Sequence, residues 1–160
     1  MATTNGGPNP HAAAMPAITV ISQYIKDLSF ENPNAPESLK GTGPHPTIKI
    51  EFNVSAKPAP EGDIEVELRI EGRAQQEETI LFSIDLVYAG VFRVRNVPQE
   101  ALQPIILIEC PRMLFPFARQ IVSDTTQSGG FPPLLIDPVD FGRLYQERFL
   151  QGQSQPQAQA

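Results

Sequence analysis

Few residues in this chain could make or break a covalent bond. It holds one cysteine, Cys110, and two histidines, His11 and His45. A cysteine nucleophile needs a base within hydrogen-bond reach, and zinc needs a converging set of Cys, His or carboxylate ligands. This spacing brings neither set together, so a hydrolase built on Cys110 has no nearby His to support it. Cys110 stands before Pro111 in an apolar run, which predicts a buried, inert thiol. Glu77 and Glu78 form an adjacent acid pair, but at a turn, where solvated carboxylates are the ordinary outcome. Phosphate-cradling glycine loops, the dinucleotide fingerprint and the Gly-x-Ser-x-Gly elbow are all missing. The chemistry left is recognition, with no cofactor, bound metal or reaction expected. In "KDLSFENPNAP" (26–36), Asp27 and Glu31 bracket the apolar pair Leu28 and Phe30 and pose the question of what those acids serve.

Charge narrows the partner. The formal net charge is −6, from 12 Lys and Arg against 18 Asp and Glu. Phosphate contacts need clustered cations, whereas Lys49, Arg69 and Arg119 are scattered. Nucleic acid is therefore not expected, and a protein with a basic surface is favoured. No apolar run approaches the roughly 18 residues of a membrane span. Residues 1–16 lack Lys and Arg and have no continuous apolar core, so they do not read as a secretory signal. A lone cysteine fits a reducing compartment, and a cytoplasmic location is expected.

The elements that must position these residues are strands first and helices afterwards. Residues 1–16 and the polar "QGQSQPQAQA" (151–160) read as tails without enough apolar surface to order themselves, leaving a folded domain over 17–150. The first strand is expected over 17–30, with alternation that is less clean toward its end. "TIKIEFNVSAK" (47–57) places Ile48, Ile50, Phe52 and Val54 on one face. "IEVELRIEGRA" (64–74) does the same with Ile64, Val66, Leu68 and Ile70. Strict alternation marks a sheet with one wet face, and "APEGD" (59–63) supplies the turn between them.

A fourth strand over 79–88 has the row Ile80, Phe82, Ile84, Leu86 and Tyr88. Its other row, Leu81, Ser83, Asp85 and Val87, is partly apolar as well. Cover from another subunit is expected, with Ile84, Leu86 and Tyr88 at the interface; burial under the chain's own helices fits the same pattern. The period then becomes helical. Apolar residues at 114, 117, 118, 121 and 122 form a stripe ended by Gly129 and Gly130, which Pro104, Pro111 and Pro116 should start, break or kink. A last helix follows "FPPLLIDP", with Asp137 as its cap, Pro138 in its first turn, and Phe141, Leu144, Tyr145 and Phe149 on one face. The class is α+β, with a four-stranded antiparallel sheet followed by two helices packed on one face.

"KDLSFENPNAP" (26–36), "MLFPFAR" (113–119) and "GFPPLLIDPVDFGRLY" (130–145) together resemble SecB, the bacterial protein-export chaperone. The likeness runs over about 20–150, with the motifs in the family's order and spacing. It implies a cytoplasmic homotetramer, a dimer of dimers, that holds unfolded precursor proteins without ATP and delivers them to the SecA ATPase. It also implies that the zinc-bearing C-terminal tail of SecA docks on an acidic sheet face, so that the zinc belongs to the partner. By resemblance the docking acids are Asp27, Glu31 and Asp85. Asp85 stands for a family glutamate, and Ser83 stands where the family often has an apolar residue. The glutamine-rich tail departs from the acidic C-terminus of some relatives.

A client site must accept many sequences and should therefore be apolar and adaptable. Its expected lining lies between the last helix, the loop before it and the loop after the first strand: Phe30, Leu39, Leu134, Phe141, Leu144 and Tyr145. The competing reading is an intracellular carrier of an apolar small molecule, with helices lidding a sheet pocket.

Overall fold

Two-residue alternation builds the sheet. The computed structural model describes residues 15–150, so the expected tails lie outside the described residues except for Met15 and Pro16. Strands β1 (Ala17–Glu31), β2 (Thr47–Pro58), β3 (Ile64–Gln76) and β4 (Thr79–Arg95) form one antiparallel sheet in the order β1-β4-β3-β2. The β2–β3 turn closes through Ala59 N–H to the Asp63 carbonyl at 2.8 Å, with Glu61 and Gly62 at positive φ. β4 continues past the expected end at Tyr88, through Ala89 and Gly90, to Arg95. Gly90 interrupts the apolar row in sequence for a packing reason. A Cβ there would meet Leu114 and the Phe92 ring at 2.9 Å, so glycine lets a helix approach β4.

Because β1 pairs with β4, the connection from β1 to β2 must cross to the opposite edge of the sheet. It is tied down on the way. Asn32 Nδ2 donates to the Gly129 carbonyl at 3.1 Å and Asn34 Nδ2 to the Ile80 carbonyl at 2.7 Å, while Gln76 Nε2 reaches the Thr42 carbonyl at 3.0 Å.

Helix α1 (Gln99–Pro104) passes through a π-helical turn (Ile105–Glu109) into α2 (Cys110–Ser128). The prolines shift the ladder and do not break it. Pro104 and Pro111 have no N–H to donate to the preceding turn, and between them the bonding widens, with Cys110 N–H reaching the Ile105 carbonyl. Leu114, Ala118 and Val122 of the expected stripe are buried. Phe117 is not; it is 52% exposed and stacks on Tyr88 with ring centroids 6.4 Å apart. Helix α3 (Phe141–Tyr145) is followed by a second π turn (Gln146–Leu150). Its cap is Asp140 and not Asp137: Arg143 N–H donates to Asp140 Oδ1 at 3.1 Å, while 132–140 run without helix.

The helices cover the row Val66, Leu68, Ile70, Ile84, Leu86 and Phe92, which forms the core with Leu114, Ala118 and Val122. The subunit-interface expectation for Ile84, Leu86 and Tyr88 is thereby corrected. They are 3%, 0% and 8% exposed within their own chain, so they have no area left to offer a neighbour. Cys110 is buried in the same core, and burial pushes its thiol up to about 12.

The outer face is held by ion pairs between strands. Lys26 Nζ lies 2.7 Å from Glu65 Oε1 and also contacts Glu67, and the Tyr24 hydroxyl donates to Glu65. At the β2–β3 turn, Arg93 forks onto the buried Asp63 at 2.8 and 3.0 Å. The Lys26 and Tyr24 hydrogen bonds hold the Glu65 carboxyl down to about 2 from an ordinary 4.5. A depressed carboxyl stabilises the fold fully above its unfolded value, and that contribution disappears as pH falls through the folded value. Glu65→Gln should therefore lower the thermal midpoint at neutral pH and flatten its decline between about pH 5 and pH 2. Thermal melts across that window test this; parallel curves for the two proteins would show that the network adds nothing.

Candidate functional site

An extra residue in β1 decides which face the acids take. Tyr24 pairs with Ala89 and Ile25 with Tyr88; after a bulge at Lys26, Asp27 pairs with Val87. A one-residue insertion reverses the parity of everything beyond it. Asp27, Ser29 and Glu31 thus lie opposite Val87, Asp85 and Ser83 on the wet face, while Leu28 and Phe30 lie opposite Leu86 and Ile84 on the helix side. The structure therefore brings Asp27, Glu31 and Asp85 together as one group, with Asp85 diagonal to both. The faltering alternation at "YIKDL" was the sequence signal of the bulge.

Two acids escaped the sequence reading. Glu51 is directly opposite Glu71, and Glu71 is directly opposite Asp85, which makes a row of carboxylates across β2, β3 and β4. Like charges in such positions repel, and Arg69 offsets part of this. Its Nε and Nη2 donate to Asp85 Oδ1 and Oδ2 at 3.0 and 2.6 Å, and the same Nε is 2.9 Å from Glu71 Oε1. The Asp85 hydrogen bond and charge raise the Arg69 guanidinium further above its ordinary value, with smaller contributions from Glu71 and Asp27. A shallow depression opens there, lined by Glu31, Glu51, Glu71 and Asp85 together with Lys49 and Arg73.

The opposite side of the sheet carries the apolar candidates, in two groups. At the end of α2, Phe30 stacks on Phe82 with centroids 5.8 Å apart, and Phe82 meets Phe131 at 4.9 Å. A Cβ at Gly129 would overlap the Phe30 ring, and one at Gly130 would lie 2.9 Å from Leu39; both glycines admit these side chains from β1 and the crossover connection. Leu134 lies over Gly72 nearby. In the second group Tyr145 stacks on Phe149 at 5.4 Å, and Leu144 packs half-buried on the core. Phe141 is corrected from groove lining to core. It is 1% exposed, edge-on to Phe115 at 6.0 Å, and has no surface for a client to touch. Leu135, 63% exposed in the "PPLL" segment, presents apolar surface that the expected lining omitted. So does an open furrow of about 590 Å³ between β2 and α1, lined by Val54, Ala56, Leu102, Ile106, Leu107 and Phe149.

One buried hydroxyl fixes the loop beside the first group. Thr126 Oγ1 accepts from Leu134 N–H at 2.9 Å, and its own proton is shared between the Val122 and Ser123 carbonyls, each at 3.0 Å. Asn32, Gly129 and Thr126 thereby join the segment after β1 to the segment after α2.

The fold is that of SecB-like chaperones. The solved Mycobacterium tuberculosis SecB-like chaperone, in complex with a ChAD peptide from the HigA1 antitoxin, superposes with a TM-score of 0.63 over 76% of this chain and 90% of its own, at 19% identity. The family described as preprotein translocase subunit SecB matches residues 11–152. A protein-export protein SecB from Xanthobacter autotrophicus is 58% identical over 94% of this chain and 96% of its own length; one from Azorhizobium caulinodans is 57% identical over 94% and 92%. The chain belongs to the SecB family and is a protein-export chaperone. Neither its relatives nor its fold supports a small-molecule carrier. No helix among the described residues is long and apolar enough to cross a membrane.

Thr126→Val keeps the side-chain shape but removes the acceptor, leaving the Leu134 N–H without a partner at a cost of about 1–3 kcal/mol. The expected outcome is faster amide exchange at Leu134 and a lower thermal midpoint, with Thr126→Ser close to wild type. Unchanged exchange at Leu134 would show that apolar packing alone holds the segment.

Proposed function

We propose that this chaperone binds unfolded precursor proteins on its helix-side apolar surface and docks the zinc-bearing C-terminal tail of the SecA ATPase on its wet face. The observation that carries this reading is the separation of the two surfaces by one sheet. Asp27, Glu31 and Asp85 sit on one side, and exposed Leu39 with the half-buried Phe30, Leu134, Leu144 and Tyr145 sits on the other. The relative solved with a bound peptide gives a precedent in the fold for holding polypeptide. The protein acts in the cytoplasm and catalyses no reaction. Binding the unfolded chain and not the native one shifts the folding equilibrium by mass action, with no nucleotide required.

Magnitudes set the terms of docking. Exposed ion pairs contribute ~0.2–1 kcal/mol each, so three acids supply at most about 3 kcal/mol, and even millimolar affinity needs about 4. Apolar contact or attachment at two points must supply the rest. A homotetramer with two wet faces and a SecA dimer with two tails would add it through effective concentration.

The subunit contact that supports such an assembly is not the buried row of β4. On the helix side, Ile25 and Leu28 of β1 and Met113 and Phe117 of α2 are exposed, and the Phe117 ring stacks on Tyr88, the cross-strand partner of Ile25. This apolar strip runs along the unpaired edge of a long strand, which a second copy would cover in a dimer of dimers. Phe117→Asp should reduce the species seen by size exclusion with light scattering to less than a tetramer while the circular dichroism spectrum stays native. A tetramer that survives the change places the contact elsewhere.

The two-surface reading is tested by Asp27→Lys combined with Asp85→Lys. Titration with the zinc-loaded SecA tail peptide should show binding lost, while suppression of aggregation of an unfolded precursor stays near wild type. Loss of both activities in an intact tetramer would refute the separation of surfaces.

A further inference from the structure

We infer that Arg69 is an internal competitor for the docking ligand, and that Glu71 is the acceptor that takes Arg69 over when the ligand reaches Asp85. The inference rests on the docking role proposed above for Asp85. Arg69 grips that carboxylate with both arms of its fork, at 3.0 and 2.6 Å. A planar guanidinium in this geometry takes one lone pair on each oxygen, the two of roughly four that an incoming Arg fork would use. The bidentate edge of the docking acid is therefore occupied in the free chaperone, and a cationic partner that takes that edge has to displace Arg69.

Displacement needs somewhere for the displaced charge to go. Glu71 stands directly opposite Asp85, and its Oε1 already lies 2.9 Å from Arg69 Nε. A small rotation of the guanidinium onto Glu71 keeps Arg69 paired and leaves Asp85 free. Both side chains are about half exposed, so water screens the pairs and the exchange between the two acceptors costs little. Asp27, opposite Val87 and hence in the same cross-strand row as Arg69, adds to the field that keeps the cation on this face. The acids of the platform then have different tasks: Asp85 meets the ligand, and Glu71 receives Arg69.

Arg73 provides an internal comparison. It lies on the same face of β3, opposite Ser83 and next to the acidic row, yet it makes no ion pair among the described residues. Removing either arginine takes one positive charge from the wet face and strengthens its attraction for a basic ligand by a similar amount. Only removal of Arg69 also frees the Asp85 carboxylate.

The test is calorimetric titration of the full chain and its variants with zinc-loaded SecA tail peptide at about 0.15 M ionic strength. Arg69→Gln should bind about two- to five-fold more tightly than Arg73→Gln. Glu71→Gln should weaken binding in the wild-type background and have a much smaller effect once Arg69 is already Gln, the coupling expected of residues that share one partner. Equal gains from Arg69→Gln and Arg73→Gln would reduce the effect to net charge and overturn the inference. Weaker binding by Arg69→Gln, with an unchanged circular dichroism spectrum, would also overturn it and make Arg69 the residue that orients Asp85. Failure of the docking assignment itself has a separate signature: Asp85→Asn would then bind the peptide as wild type does.

Discussion

A single sheet can serve two kinds of partner only if its faces stay chemically distinct, and parity along each strand is the constraint that keeps them so. In β2 and β3 uninterrupted alternation is enough. In β1 it is not, because the edge strand must set Tyr24 over Glu65 at one end and Asp27 and Glu31 beside Asp85 at the other. The extra residue at Lys26 reconciles the two. Without it Leu28 and Phe30 would turn to the wet face, and Asp27 and Glu31 would leave the face that carries Asp85. The bulge is thus the device that makes one strand contribute to both surfaces.

The helical layer obeys a second constraint, which is proximity to β4. Gly90 removes the side chain that would hold α2 away from the strand, and the π turn between Pro104 and Pro111 lets Ile106 and Leu107 both turn inward. Thr126 then carries the order of α2 into the following loop through one side-chain hydrogen bond to Leu134. Phe141 locks α3 against Phe115 from beneath, while Leu135 stays exposed.

What was legible in the sequence follows from these constraints. The strands β2 and β3, the wet face and the α+β order could be read because their signals are periodic and local. The extension of β4 could not, since Gly90 reads as an interruption until the helix above it is known. The cap of α3 was placed at Asp137 because Asp-Pro is the stronger local signal, yet 132–140 run without helix and Asp140 accepts the Arg143 N–H. Glu51, Glu71 and Arg69 looked like ordinary solvated charges, because pairing between strands depends on register, which a single chain of letters does not print. The buried row of β4 was ambiguous for the same reason: a strand covered by its own helices and one covered by a neighbour have the same alternation. Resemblance supplied Asp27, Glu31 and Asp85 as proposed docking acids, and geometry explains why they meet.

The strand order also says something about assembly in time. β2, β3 and β4 follow one another through tight turns, whereas Ala17 must find Arg95 across nearly the whole sheet-forming sequence. Closing so long a loop is entropically slower than zipping a meander, so the topology favours β1 joining after the other three strands. Until it does, the free edge of β4 and the greasy underside of the young sheet stand open. A chain folding in that order would itself pass through the kind of sticky, half-finished state that an export chaperone exists to hold.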